Sequence, residues 1–175
     1  MEIKEMLIEK GRINRPGTAN SIRYITIHDT ANTKKGADAT AHAKYLKALN
    51  SRTSWHYTVD DETIVRHLPD GEKSYHTSSI KANENSIAIE LCVNEDSDFE
   101  KTCRRAVALV RELSEKYKIP PENIMTHRDW TGKTCPARLI GDGLDKFITA
   151  CRSRSEERFA TIDELRELGF SGIRF

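Results

Sequence analysis

The sequence predicts an α/β protein, a mixed central β-sheet flanked by helices. Three observations carry that prediction. Ile22 to His28 (IRYITIH) alternates and is β-branched, and Ile87 to Val93 (IAIELCV) is a short, strongly apolar run suited to the centre of a sheet. Behind them, Cys103, Ala106, Val107, Val110, Leu113 and Tyr117 recur at helical spacing. The candidate elements then follow one another as β-α-β-β-β-α-β-α, an order that packs helices onto the faces of one sheet.

Each element has a local reason. After the first strand, Asp38 to Leu49 reads as a helix, with Asp38 as N-cap and Tyr45, Leu46 and Leu49 as apolar positions. Trp55 to Val59 and Thr63 to Leu68 flank the polar turn Asp60-Asp61-Glu62, which predicts a hairpin. Ser97 and Glu100 form a capping box before the long helix, and Pro120 and Pro121 end it. Asn123 to His127 reads as a short strand ending in His127, and Asp145 to Arg152 as a further helix. Residues 1–152 form the main domain. From Ser153 the chain turns charged, then offers one short amphipathic helix, with Thr161 and Glu164 as capping box and Gly169 as C-cap. Residues 153–175 are therefore expected to be a C-terminal helical appendage.

Composition narrows the function. The chain has 175 residues, enough for one core without disulfides. With 28 basic and 27 acidic residues the net charge is +1, and the basic residues are scattered, so nothing points to a nucleic-acid partner. No apolar run is long enough to insert into a membrane. The start, MEIKEMLIEKGRINRPG, lacks an apolar run followed by a small-residue cleavage site, so no secretory signal peptide is expected. The four cysteines, Cys92, Cys103, Cys135 and Cys151, are expected to be free thiols, one of them a ligand. A monomer is favoured.

Two segments carry chemistry. His28 ends a predicted strand before Asp29-Thr30-Ala31-Asn32, and His127 lies in Thr126-His127-Arg128-Asp129-Trp130, eight residues before Cys135. Ligands at strand ends on a rigid sheet converge at one rim. Two imidazoles and a thiolate leave the fourth tetrahedral position of zinc open, as in catalytic sites. The spacing alone is not a zinc signature, and a buried Cys or a single strand-end His is ordinarily structural.

The segments IRYITIHDTAN (22–32), TSWHYTVDDE (53–62), NSIAIELCVN (85–94) and THRDWTGKTCP (126–136) together resemble the zinc-dependent N-acetylmuramoyl-L-alanine amidases of the type-2 group, which includes phage endolysins, bacterial autolysins and peptidoglycan recognition proteins. The likeness runs from about Ile22 to Phe147. It implies the type-2 amidase fold, with residues 1–152 as the catalytic domain. It also implies Zn²⁺ held by His28, His127 and Cys135, catalytic roles for Glu90 and Lys133, and a peptidoglycan substrate cut between N-acetylmuramic acid and L-alanine. Such a protein would be made in the cytoplasm and reach the cell wall after lysis or by non-classical export.

The residues agree with these roles. Ile87, Ile89, Leu91 and Val93 share one strand face, which leaves Glu90 on the other with Ala88 and Cys92, where a carboxylate needs a reason. Lys133, two residues before Cys135, is within reach of an oxyanion at the scissile carbonyl. Asn32, Trp55, His56 and His76 are expected to contact substrate. Trp55 stands near where some relatives carry a catalytic Tyr. His42 and His67 read as structural or surface residues. Two other readings stay open: a peptidoglycan-binding module without catalysis, against which Cys135 speaks, and a thiol hydrolase with Cys135 as nucleophile and His127 as base.

Overall fold

The structure is a computed structural model that describes residues 2–153. Among these, six strands make one mixed sheet: β1 (Lys4–Glu5), β2 (Tyr24–Asp29), β3 (Tyr57–Val59), β4 (Ile64–Arg66), β5 (Ser86–Leu91) and β6 (Ile124–Thr126). Five α-helices accompany them: α1 (Ala39–Ala48), α2 (Ile80–Asn85), α3 (Phe99–Tyr117), α4 (His127–Thr131) and α5 (Asp142–Arg152). The strand order is β1-β4-β3-β5-β2-β6. Only the β3–β4 hairpin is antiparallel; the other pairings are parallel.

The two apolar segments become the interior strands. β5 lies between β3 and β2 and pairs with β2 from Tyr24↔Ser86 to Asp29↔Leu91. Ile25 and Ile27 of β2, Tyr57 and Val59 of β3, and Ile87, Ile89 and Leu91 of β5 face one layer. There they meet Val107, Val110 and Leu113 of α3 and Phe147 of α5. Each fully buried Ile, Leu or Phe contributes about 1.5–3 kcal/mol, so this layer is the principal hydrophobic store. The pleat then sends Thr26, His28, Ala88 and Glu90 to the opposite face. That face is covered by smaller clusters, including Leu46 of α1 with Trp55 and Ala88, and Ala39 and Ala43 of α1 with Val65 and Cys92. A sheet covered on both faces is rigid and can present polar groups at its rim.

Most predicted elements form where expected, and the departures have local causes. Asp38 caps α1 by accepting from the amide of Ala41. The predicted capping box at Ser97 and Glu100 is corrected: Asp98 is the N-cap of α3, accepting from the Lys101 amide, while Ser97 donates its hydroxyl to Asp61. A carboxylate at that position also complements the positive end of the helix dipole. The helix stops at Tyr117, with Lys118 in the left-handed region, before the prolines are reached. His127 starts α4 rather than ending the preceding strand. The pattern did not reveal β1, α2 or α4, because elements of two, six and five residues are too short for periodicity.

The four cysteines are free and buried. No helix among the described residues is long and apolar enough to cross a membrane. The expected helix beginning near Thr161, with the rest of the appendage after Ser153, lies outside the described residues.

Candidate metal centre

Parallel pairing brings the candidate ligands to one rim. β2 pairs with β6 up to Ile27↔Thr126, so His28 and His127 leave neighbouring strands at the same level. Thr126 then turns the chain through a capping box: its hydroxyl accepts from the Asp129 amide, and the Asp129 carboxylate accepts from the Thr126 amide at 2.7 Å. α4 ends at Gly132, whose φ of +77° an L side chain rarely adopts. The loop returns, with the Arg128 amide donating to the Cys135 carbonyl at 3.1 Å, and Cys135 arrives beside the two histidines.

Nδ1 of His28, Nδ1 of His127 and Sγ of Cys135 converge. The two nitrogens are 3.1 Å apart and the sulfur is 3.7 Å from His28 Nδ1. All ligand atoms lie within 4.8 Å of one another and all three residues are buried. Tetrahedral zinc with Zn–N about 2.0–2.1 Å and Zn–S about 2.3 Å sets its ligands roughly 3.3–3.6 Å apart, so the residues fit that ion. Burial holds both histidines below their usual range, with the Lys133 charge acting in the same direction, so they are neutral donors. Burial pushes the Cys135 thiol up to about 12, against a backbone hydrogen bond from Asp29 that lowers it. This is unlike a nucleophilic cysteine, whose pKa is depressed by its neighbours. A cation among the three groups would convert that thiol to the thiolate ligand.

Glu90 is placed by register. It pairs directly with His28 across β2 and β5, so both side chains rise from the same face. Its Oε1 is 4.0 Å from His28 Nδ1, and its Oε2 is buried without a hydrogen-bond partner. The side chain is 12% exposed. Burial and the neighbouring Asp29 charge raise its pKa well above the usual carboxylate range, while Lys133 opposes them. A carboxylate this poorly solvated is a strong base for its type.

Two hollows flank the cluster. One, of about 350 Å³, is walled by Glu90, Trp55, Asn32, Thr30, His42 and Tyr45. The other, of about 620 Å³, holds His127, Lys133, His76 and Tyr75. Thr53 lines both, so the two hollows adjoin there, with Glu90 in the wall of one and His127 in the wall of the other. Asn32 and Trp55 thus line the first hollow and Lys133 the second. Trp55 donates its indole N–H to Thr58 at 2.7 Å, which fixes its ring as a wall.

Two of the expected substrate contacts stand differently. His56 is fully enclosed: its Nε2 donates to the Glu72 carbonyl at 2.8 Å and its Nδ1 accepts from the Ala88 amide at 3.0 Å. Burial lowers its pKa to about 4. Both ring nitrogens are consumed in stapling the strand entry to β5, so the expectation of substrate contact is corrected. His76 lines the second hollow, yet is only 9% exposed, and its Nδ1 meets His28 Nε2 at 2.9 Å. His42 and His67 are buried rather than on the surface. As lining or supporting residues, sequence reasoning overlooked Tyr45, read only as an apolar helix position, Thr53 at the start of the second family-like segment, and Thr26 and Ser86, hydroxyls beneath the site. For Thr26 the signal was present, a polar residue at the alternation position shared with His28.

A parallel-rich sheet that brings two histidines, a loop cysteine and a poorly solvated carboxylate together at one rim defines an α/β protein with a grouping that could hold a metal ion. Residues 18–138 match the N-acetylmuramoyl-L-alanine amidase family, and the chain belongs to it. Among relatives, it is 44% identical over 154 residues to N-acetylmuramoyl-L-alanine amidase CwlH of Bacillus subtilis (strain 168), covering 86% of this chain and 61% of CwlH. It is also 44% identical over 149 residues to N-acetylmuramoyl-L-alanine amidase XlyA of the same organism, covering 84% of this chain and 50% of XlyA. The solved catalytic domain of XlyA superposes with a TM-score of 0.83 at 43% identity, covering 86% of this chain and 99% of that domain. The chain thus spans about half to three-fifths of the length of these two full-length relatives.

Proposed function

We propose that this chain is the zinc-dependent catalytic portion of a peptidoglycan hydrolase that cuts the amide between N-acetylmuramic acid and L-alanine. The observation that carries the reading is the registered pair His28 and Glu90, with His127 and Cys135 closing the ligand set, in a chain of the amidase family. Such a reaction serves cell-wall degradation, the role of an endolysin or autolysin, and accords with relatives named N-acetylmuramoyl-L-alanine amidases.

Zinc held by His28, His127 and Cys135 would supply a Lewis acid for the scissile carbonyl and the attacking water. Glu90 takes the proton of that water at its carboxylate and returns it to the leaving amine. Its raised pKa suits both halves of that transfer, since a group that holds a proton too weakly is a poor base and one that holds it too tightly a poor donor. Lys133, on the exposed loop beside His127, brings a positive charge to the developing oxyanion. Asn32 and Trp55 line the groove beside Glu90 and orient the muramyl peptide. The thiol-hydrolase reading is disfavoured by the raised Cys135 pKa.

Digestion of purified cell walls tests the reading. Free amino groups on L-alanine with intact glycan strands, abolished by a chelator and restored by zinc, are the expected result. New reducing ends, or chelator-resistant cleavage, would overturn it. Within that assay, Lys133→Met is expected to lower kcat by roughly 10²–10³-fold, the usual worth of one oxyanion donor. Because the lysine is exposed, its melting temperature should stay near that of the wild type. A variant with unchanged kcat would make Lys133 an ordinary surface residue.

A further inference from the structure

Beneath the ligands lies a buried polar chain that none of the roles above uses. The Trp130 indole N–H donates to Thr26 Oγ1 at 3.0 Å. Thr26 donates its hydroxyl to Ser86 Oγ at 2.9 Å, and Ser86 donates to the Ala82 carbonyl at 2.7 Å. His76 Nε2 faces Ser86 Oγ at 3.1 Å and the same carbonyl at 3.3 Å. On its other side His76 Nδ1 meets His28 Nε2 at 2.9 Å. Thr26 and Ser86 are fully buried.

The two ends of this chain fix the position of each proton. Indole N–H can only donate and a carbonyl can only accept. Thr26, receiving from Trp130, spends its single proton on Ser86. Ser86 spends its own on Ala82, so its oxygen can only accept from His76. His76 Nε2 therefore carries the proton, and its Nδ1 is a lone pair. That lone pair accepts from His28 Nε2–H, which leaves His28 Nδ1 bare toward His127 and Cys135. The reverse assignment would set His76 Nε2 lone pair against the Ala82 carbonyl, two acceptors facing each other in a buried site.

We propose that His76 is a positioning residue that locks His28 in its Nε2–H tautomer and so presents Nδ1 to the metal, with Ser86, Thr26 and Trp130 setting the direction of the lock. This deepens the metal reading and rests on it. Supporting contacts of this kind commonly change metal affinity about 10–100-fold, because they prepay the orientation of the ligand ring.

The wild-type protein gives the first test. Long-range ¹H–¹⁵N spectra of the metal-free and zinc-loaded protein are expected to show both His28 and His76 protonated at Nε2. A His76 protonated at Nδ1 would overturn the proposal without any variant. Chelator competition then compares two substitutions. His76→Leu removes the acceptor and is expected to weaken zinc binding about 10–100-fold and let the His28 tautomers mix. His76→Asn can place its Oδ1 near the Nδ1 position and is expected to stay within a few-fold of wild type. Equal zinc affinity in His76→Leu and wild type would overturn the proposal. A wild-type protein that takes up no zinc would refute the metal reading itself, and this one with it.

Discussion

Glu90→Gln is expected to lower turnover by about 10²–10⁴-fold while leaving zinc content unchanged. The amide keeps the size of the side chain but cannot take a proton from water, and Glu90 is 4.0 Å from His28 Nδ1, outside the converging ligand set. The same substitution should raise the melting temperature of the metal-free protein at neutral pH. The sign follows from the raised pKa of Glu90 in the fold. A carboxyl that is harder to ionise when folded destabilises the native state wherever it is ionised, which is fully so above the folded pKa. The advantage of glutamine shrinks as pH falls through the folded value, and it vanishes below the ordinary carboxylate range, where both states are protonated. Melting curves, zinc analysis and initial rates on one preparation measure all three effects. If Glu90 instead serves only in an ion pair, the variant melts lower and each folded molecule turns over at the wild-type rate.

Cys135→Ser is expected to have the largest effect on the metal. Zinc affinities of about 10–16 kcal/mol, shared over three or four ligands, give roughly 2.5–5 kcal/mol per ligand, or about 10²–10⁴-fold in affinity. At low free zinc the variant should lose both metal and activity, and excess zinc should restore part of each. That rescue separates a ligand from a nucleophile. Were Cys135 the attacking group, no zinc concentration would bring back turnover, and the wild-type protein would survive a chelator. Because Cys135 is buried but sits at the rim of a loop rather than in the main layer, metal-free stability should change little.

The long elements were legible because each obeys one period. β2 and β5 alternate or run apolar over six residues, α3 repeats its apolar positions over nineteen, and the hairpin advertises its turn with three acidic residues. The ligand residues were legible as strand-end histidines and a nearby cysteine, but their chemistry came into view through likeness to a family, since His-x₇-Cys is no metal signature by itself. His56 shows the limit of local reasoning. It sits beside Trp55 in one motif, yet the Glu72 carbonyl and the Ala88 amide, sixteen and thirty-two residues away, enclose it.

What the sequence by itself determined is therefore the class of fold, the strands that form its centre, and which residue types were available to hold a metal and move a proton. These depend on periodicity and side-chain chemistry, which each segment carries alone. Only the tertiary structure decided that Glu90 stands beside His28, because parallel register between segments sixty-two residues apart is set by packing across the whole sheet. It likewise made His76 the partner of His28, because the hydrogen-bonded chain from Trp130 through Thr26 and Ser86 to Ala82 exists only once three distant segments are brought together.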